Sequence, residues 1–171
     1  MPLVYKRGLS NTEIDRVELE IGRSLPYDFK KLLSWMNGFY LTSPDYSQIP
    51  LASVEGDVIS FDRIFGLLPD EECNDLIALN NEFIDELGFL GEAVAIGEDG
   101  GGNPYVLLGE ERGGLYYWDR THLHDFYANG KLDIPEQSDC GNLFYLAPSF
   151  QAFYDMILKS LGGSVQSIEE S

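Results

Sequence analysis

The chain has 171 residues, with 11 Lys and Arg against 29 Asp and Glu, so its formal net charge at pH 7 is −18. This charge disfavours binding to nucleic acids and to anionic membrane surfaces, because both require clusters of basic side chains that the sequence lacks. Apolar residues make up 44% of the chain, which is typical of one globular domain and excludes an intrinsically disordered protein.

Hydropathy and cysteine content indicate the compartment. The longest uninterrupted apolar run, 143–147, is far shorter than the roughly 18 to 20 residues of a membrane-spanning helix. The first ten residues lack the apolar stretch and cleavage site of a secretory signal, which predicts a cytoplasmic protein. Cys73 falls on the apolar stripe of a predicted helix, so we expect a buried reduced thiol there, without a disulfide to Cys140.

Two helices are predicted near the start of the chain. Ser10 and Glu13 have the spacing of a capping box, and the apolar residues that follow keep helical spacing until Gly22. A second helix begins after Pro26, which is tolerated in a first turn. We expect this helix to end at Asn37-Gly38, with the glycine in the left-handed conformation that closes many helices.

The middle of the chain changes from helical to strand-like patterning. Residues 39–65 are rich in turn residues and predict loops with a short strand around 58–61. From Asp70 to Leu87 the apolar residues keep helical spacing, which predicts a third helix that ends at Gly88. Three apolar segments separated by turns then predict an antiparallel meander. These segments are 93–96, 105–108 and 115–118.

The last part of the chain completes the predicted fold. Residues 129–142 are turn-rich and acidic, 143–146 predict a short strand, and Ser149 caps a final amphipathic helix. Helices on both sides of a run of strands indicate an α+β protein, a mostly antiparallel sheet with helices packed on it. We predict a single domain over residues 1–163, followed by a flexible polar tail, 164–171.

A glycine-rich segment, Gly97–Pro104, lies between two predicted strands. A phosphate-binding loop would open a helix and usually carry a lysine, whereas here a strand follows and Glu98 and Asp99 would repel phosphate. The spacing of Asp99 and Asn103 also does not match a calcium loop. We interpret the segment as a hairpin turn in which glycines supply positive φ angles.

Two histidines offer a weak alternative chemistry. His122 and His124 would point to one face of a strand, but no further metal-binding motif accompanies them, so a surface pair is favoured. An enzyme that uses these histidines with Asp119 is a distant alternative, and no serine nucleophile motif occurs. The sequence therefore predicts a protein that is not an enzyme and needs no metal or cofactor.

The acidic composition indicates a class of partner. Adjacent carboxylates such as 71–72, 98–99 and 110–111 are most simply solvated surface residues. Their combined field would attract a cationic protein over a long range, so a basic protein is the partner that the composition favours. Solubility alone is the alternative explanation.

Several short motifs follow one another between about Asn11 and Leu161. They are Glu20-Ile21-Gly22, Leu25-Pro26-Tyr27 with Phe29 and Leu33, Asn37-Gly38, Ala95–Asn103 with Tyr105, Tyr117-Trp118-Asp119, and Ser149-Phe150 with Phe153. In this order they resemble the SUKH superfamily, which includes many bacterial immunity proteins and the fungal cell-wall assembly regulator. One departure is that Asp119 is followed here by Arg120 and Thr121, where His and Glu often follow in the family.

The resemblance implies a single-domain α+β protein that binds and neutralises a cognate bacterial toxin, often a nuclease, by occlusion inside the cell. From position and charge we expect four residues to contact this cationic partner, namely Glu98, Asp99, Asn103 and Asp119. The alternative is a non-enzymatic regulatory or scaffold module that binds endogenous proteins. A toxin gene beside this one would favour the immunity function.

Overall fold

The computed structural model describes residues 2–42, 44–109, 112–120 and 142–170. The helices are α1 (Asn11–Ile21), α2 (Tyr27–Trp35), α3 (Leu76–Glu82), α4 (Ile84–Leu87) and α5 (Phe150–Ser160), with 3-10 turns at Glu72–Asn74 and Gly88–Leu90. The strands are β1 (Leu3–Arg7), β2 (Met36–Leu41), β3 (Ser47–Pro50), β4 (Val58–Phe61), β5 (Arg63–Ile64), β6 (Ala93–Glu98), β7 (Pro104–Leu108), β8 (Leu115–Asp119), β9 (Asn142–Ala147) and β10 (Ser167–Glu170). Within the described ranges no helix is long and apolar enough to cross a membrane.

The strands form two four-stranded sheets and one small pair. The first sheet has the order β10-β1-β2-β5, the second has the order β6-β7-β8-β9, and β3 pairs with β4. Neighbouring strands are antiparallel, except that β1 and β10 are parallel. The Phe65 amide donates to the Ile96 carbonyl at 2.9 Å, which links the two larger sheets. The predicted α+β class with mostly antiparallel pairing is confirmed.

The first two helices lie where local signals predict them. The side chain of Ser10 accepts from the Glu13 amide and the Glu13 side chain accepts from the Ser10 amide, so the capping box is formed. Glu18 joins the helices, because its carboxylate accepts from the Leu25 amide at 2.7 Å and pairs with Lys30 at 3.0 Å. One side chain of α1 therefore contacts both the connection to α2 and α2 itself.

The predicted end of α2 at Asn37-Gly38 is wrong. The helix ends at Trp35, and Asn37 lies in β2. Its side-chain Nδ2 donates to the Leu67 carbonyl at 2.9 Å, and its side-chain Oδ1 accepts from the Leu67 main-chain amide at 2.7 Å. Gly38 has φ +72° as expected, but a Cβ there would lie only 2.7 Å from the Ile64 carbonyl. The glycine thus permits two backbones to approach and does not cap a helix.

The predicted third helix is divided into α3 and α4, and α3 starts later than predicted. Asp75 caps α3, since its carboxylate accepts from the Ile77 and Ala78 amides at 3.0 and 2.9 Å, and helical geometry starts only after it. Cys73 therefore lies in the preceding 3-10 turn and is exposed, which corrects the prediction of a buried thiol. Cys140 lies outside the described residues.

The predicted meander and last helix are confirmed. Strands β6, β7 and β8 pair in sequence, and β9 adds to β8. The Ser149 side chain accepts from the Ala152 amide at 3.2 Å and caps α5. Aromatic residues of α5 fill the centre of the core, where the ring of Phe153 lies 5.8 Å from Phe61 and 5.2 Å from Tyr105, measured between centroids.

Residues 167–170 form a strand, where a flexible tail was predicted. These residues form β10, which pairs with β1 in parallel so that Leu3 is opposite Ser167 and Lys6 is opposite Glu170. All four side chains of the strand are exposed. No side of the strand faces the core, so its sequence has no alternating apolar pattern. Its order comes from main-chain pairing with the other end of the chain, which leaves no local signal in the sequence.

Candidate functional site: an acidic groove beside the glycine-rich hairpin

Negative charge is unevenly distributed along the fold. Residues 2–42 contain six Lys and Arg and five Asp and Glu, whereas residues 44–109 contain one Arg and 14 Asp and Glu. The acidic part includes the 3-10 turn at Glu72–Asn74, helices α3 and α4, and strand β6. A cationic partner would therefore be attracted to this side of the molecule.

A groove of about 820 Å³ lies between the 3-10 turn, α3 and the end of β6. We call it the acidic groove, and its lining residues are Phe65, Glu72, Cys73, Ala78, Leu79, Asn81, Glu82 and Glu98. Three carboxylates face it, and the described residues that line it include no Lys or Arg. Apolar side chains beside carboxylates can pack against the stem of a long basic side chain whose charged end the carboxylates bind.

The environment of Glu98 changes the pKa of its carboxyl group. Burial raises the pKa of Glu98, and the neighbouring carboxylates of Glu82, Asp62 and Asp99 raise it further, while Arg63 partly opposes them. Burial also raises the pKa of Asp62, again against the effect of Arg63. The groove therefore holds negative charge that the protein itself only partly compensates.

The hairpin between β6 and β7 is built around one buried carboxylate. One oxygen of Asp99, Oδ1, accepts from the Gly101 and Asn103 amides at 2.8 and 2.9 Å. The other, Oδ2, accepts from the Asn103 side chain at 3.1 Å and from the Tyr117 hydroxyl at 2.8 Å. Burial and the hydrogen bond to Asp99 raise the pKa of Tyr117, so this hydroxyl remains a donor. The predicted hairpin is confirmed, and of its glycines Gly102 has a positive φ.

Arg120 connects this hairpin to helix α4. Its amide donates to Asn103 Oδ1 at 2.8 Å, and its guanidinium donates to both carboxylate oxygens of Glu86 at 2.9 and 3.0 Å. The same guanidinium lies 4.5 Å from the ring centroid of Phe83 and 4.8 Å from that of Trp118. The two rings thus pack against the guanidinium, while the Glu86 side chain remains 40% exposed.

The four predicted contact residues are thus placed in different environments. Glu98 lines the acidic groove, Asp99 and Asn103 are buried inside the hairpin, and Asp119 lies at the end of β8, outside the lining of the groove. Glu72 and Glu82 were not among the predicted contacts. Helical spacing alone does not show which exposed side of a helix faces a groove. The sequence signal that pointed to these two residues is the excess of carboxylates over residues 44–109.

The histidines proposed as a distant catalytic alternative, His122 and His124, lie outside the described residues. Among the residues that are described, no group of three or more His, Cys, Asp or Glu side chains is arranged to hold a metal ion.

Replacing Gly102 with alanine is expected to destabilise the fold by about 1 kcal/mol, because Gly102 has φ +80° and an L-residue is strained in that conformation. No atom lies within 4 Å of the position of the added Cβ, so a steric clash does not contribute. Chemical denaturation measures the effect. The matched control is Gly100→Ala, where φ is not positive and the added Cβ also meets no neighbour. An equal loss in both variants would contradict the explanation by backbone strain.

The structure is that of an acidic α+β domain with a groove lined by carboxylates. Residues 8–156 match the model of the SMI1/KNR4 family (SUKH-1), so the chain belongs to this family and to the SUKH superfamily. Its members are immunity or regulatory domains that bind partner proteins, toxins among them, and are generally not enzymes. A comparison with curated proteins finds no match.

Proposed function

We propose that this protein is an immunity protein that binds a cationic toxin domain, such as a basic nuclease domain, and neutralises it by occlusion. The observation that carries the proposal is the acidic groove, in which three carboxylates face solvent with no basic residue among the described lining residues. A basic substrate-binding surface on the toxin would be covered by this groove. Occlusion needs no chemistry from the immunity protein.

Glu98, Asp99, Asn103 and Asp119 contribute to this proposal in two ways. Glu98 contacts the partner directly from the groove, and Asp119 does so from the adjoining end of β8. Asp99 and Asn103 are buried, so they support the partner surface by fixing the hairpin that carries Glu98. Such positioning residues would affect binding through the shape of the loop.

The test is the association rate with the purified toxin domain encoded beside this gene, measured as ionic strength is increased. We expect fast association at low salt that slows steeply as salt rises, because the partners are oppositely charged. Protection of a cell that produces the toxin domain should accompany binding. Salt-independent association would contradict the electrostatic model, and absence of binding to any adjacent toxin would favour the regulatory module instead.

Replacing Glu98 with glutamine is expected to stabilise the fold at neutral pH while it weakens partner binding. Because the folded-state pKa of Glu98 is raised, the folded protein holds this proton more tightly than the unfolded chain, and ionisation lowers stability above about pH 4.3. The gain at pH 7 should be below about 1 kcal/mol, since the carboxyl remains partly solvated.

Thermal melts between pH 3.5 and 8 check this expectation, and the advantage of Glu98→Gln over wild type should disappear at the acidic end. Asp45→Asn provides the control, because Asp45 is an exposed carboxylate outside the groove lining. A destabilised Glu98→Gln variant at pH 7 would show that the Glu98 carboxylate is compensated in the fold.

A further inference from the structure

Arg63 is the only Lys or Arg within residues 44–109, which contain 14 Asp and Glu. Its guanidinium pairs with the adjacent carboxylate of Asp62, where Nε donates to Oδ2 at 3.1 Å, and it also donates to the side chain of Asn74. The other oxygen of Asp62, Oδ1, is buried and has no hydrogen-bond partner among the described residues. The Asp62 carboxylate therefore depends on Arg63 for compensation of its charge.

Arg63 contacts two of the three segments that form the acidic groove. Asn74 belongs to the 3-10 turn that carries Glu72, so the guanidinium contacts this segment directly. The main chain of Arg63 lies against strand β6, because a Cβ at Gly97 would lie only 2.6 Å from the Arg63 carbonyl oxygen. Gly97 directly precedes Glu98, the groove residue of this strand. One residue thus joins the segments that carry two of the three groove carboxylates.

Helix α3, the third segment, is fixed to β6 by a neutral side chain. The buried amide of Asn80 donates to the Ala95 carbonyl at 2.8 Å, and its oxygen accepts from the Ala95 amide at 2.9 Å. Glu82 lies at the end of this helix. The position of the Glu82 carboxylate therefore does not depend on Arg63.

Arg63 itself lies outside the lining of the groove. It lines a smaller cavity of about 230 Å³ that shares Phe65 with the groove. A cation in this position offsets repulsion between the groove carboxylates without occupying the surface that a partner contacts. Accordingly, Arg63 opposes the rise in the pKa of Glu98 that burial and three neighbouring carboxylates cause. Those carboxylates are Glu82, Asp62 and Asp99.

We propose that Arg63 is a positioning residue of the acidic groove, which holds the turn that carries Glu72 and maintains the negative charge of the groove from outside its lining. This proposal rests on the proposed function of the groove as the site of a cationic partner. Without Arg63 the turn loses its contact at Asn74. The pKa values of Glu98 and Asp62 rise, because the cation that opposes the effect of burial at both is lost. The groove then takes up protons, and loses its attraction for a basic partner, at a higher pH than in wild type.

The first test measures the charge of the groove without any partner. Arg63→Met removes the cation and both hydrogen bonds, whereas Arg63→Lys keeps the cation without the planar guanidinium. NMR titration of the carboxyl carbons should give a higher pKa for Glu98 in Arg63→Met than in wild type, and Arg63→Lys should restore it. The matched control is Lys31→Met, since Lys31 is exposed, lies outside the groove lining and changes the net charge equally.

The second test measures the association rate with the purified toxin domain between pH 4.5 and 8 at constant ionic strength. The rate should fall on acidification, with its midpoint at higher pH for Arg63→Met than for wild type and Lys31→Met. A midpoint and a Glu98 pKa both equal to those of wild type would overturn the proposal and leave the proposed function intact. A raised Glu98 pKa in a protein that does not bind the toxin domain would support the role of Arg63 and reject the proposed function.

The third test concerns the turn. NMR relaxation of the main-chain amide of residue 74 should give an order parameter below about 0.6 in Arg63→Met, the range of flexible backbone. The amide of Ala78, which is capped by Asp75, should be unaffected. If circular dichroism shows that Arg63→Met does not fold, Asn74→Ala removes the same contact and keeps the cation, so the turn should loosen while the Glu98 pKa stays as in wild type. An order parameter equal to that of wild type in the folded variant would overturn the holding role of Arg63.

Discussion

Replacing Glu72 and Glu82 together with lysine is expected to slow association with the cationic toxin domain about tenfold or more at low salt. The two substitutions convert two of the three carboxylates of the acidic groove into positive charges, which repel a basic partner during encounter. Both side chains are exposed, so the fold should tolerate the change. Stopped-flow association rates measured from low to high ionic strength provide the test.

The matched control reverses Asp15 and Asp45, which are exposed and do not line the groove, and changes the net charge by the same amount. We expect a much smaller effect on the rate, and the rates of all variants should converge as salt screens the charges. Equal slowing by the two double variants would mean that net charge alone attracts the partner. An unchanged rate in the groove variant would place the docking surface elsewhere.

Replacing Asp99 with alanine is expected to destabilise the protein by about 3 to 5 kcal/mol. The substitution removes the acceptor of the Gly101 and Asn103 amides and of the Tyr117 hydroxyl, and the hydrogen bonds from Asn103 and Tyr117 are buried. Donors left without an acceptor lose the hydrogen bond and keep the cost of desolvation, and bonds to a carboxylate are stronger than neutral ones. Denaturant unfolding monitored by circular dichroism measures the change.

Tyr117→Phe is the graded control, since it removes one of these hydrogen bonds and should cost about 1 to 2 kcal/mol. Binding of the toxin domain by Asp99→Ala should be measured at a temperature where the variant is still folded. This measurement distinguishes the role of Asp99 in fixing the hairpin from the direct contacts that other residues make with the toxin. We expect the folded variant to bind the toxin domain more weakly than wild type, because the hairpin next to Glu98 loses its fixed shape. An unfolding free energy equal to that of wild type would contradict the role of Asp99 as the centre of the hairpin.

Elements with a complete local signal could be predicted from the sequence. Helix α1 begins directly after Ser10, which forms a capping box with Glu13, and α5 begins directly after Ser149, whose side chain caps it. The meander of β6, β7 and β8 follows from apolar segments separated by turns. The motif order resembled the SUKH superfamily, and the family match over residues 8–156 confirms it. For each helix and strand in this group the signal lies within about ten consecutive residues, whereas the family resemblance depends on the order of motifs along the chain.

The sequence placed Glu98 and Asp99 side by side in one acidic loop, but it could not show that they differ in role. The strand pairing of β6 with β7 turns Asp99 inward, where amides from its own loop and a hydroxyl from β8 reach it, while Glu98 lines the groove. Which of two adjacent carboxylates is buried depends on the partners that the fold supplies. The loop amides are local, but the Tyr117 hydroxyl comes from another strand, 18 residues away.

By itself the sequence therefore determined the class of fold, the family, the acidic character and the helices and strands that have complete local signals. Only the tertiary structure decided where α2 ends, because Asn37 is taken into β2 by hydrogen bonds to Leu67. It also decided that residues 167–170 form a strand on β1, and that Glu72, Glu82 and Glu98 meet in one groove. These features depend on main-chain pairing and side-chain approach between segments far apart in the chain, and such contacts leave no periodic pattern in either segment alone.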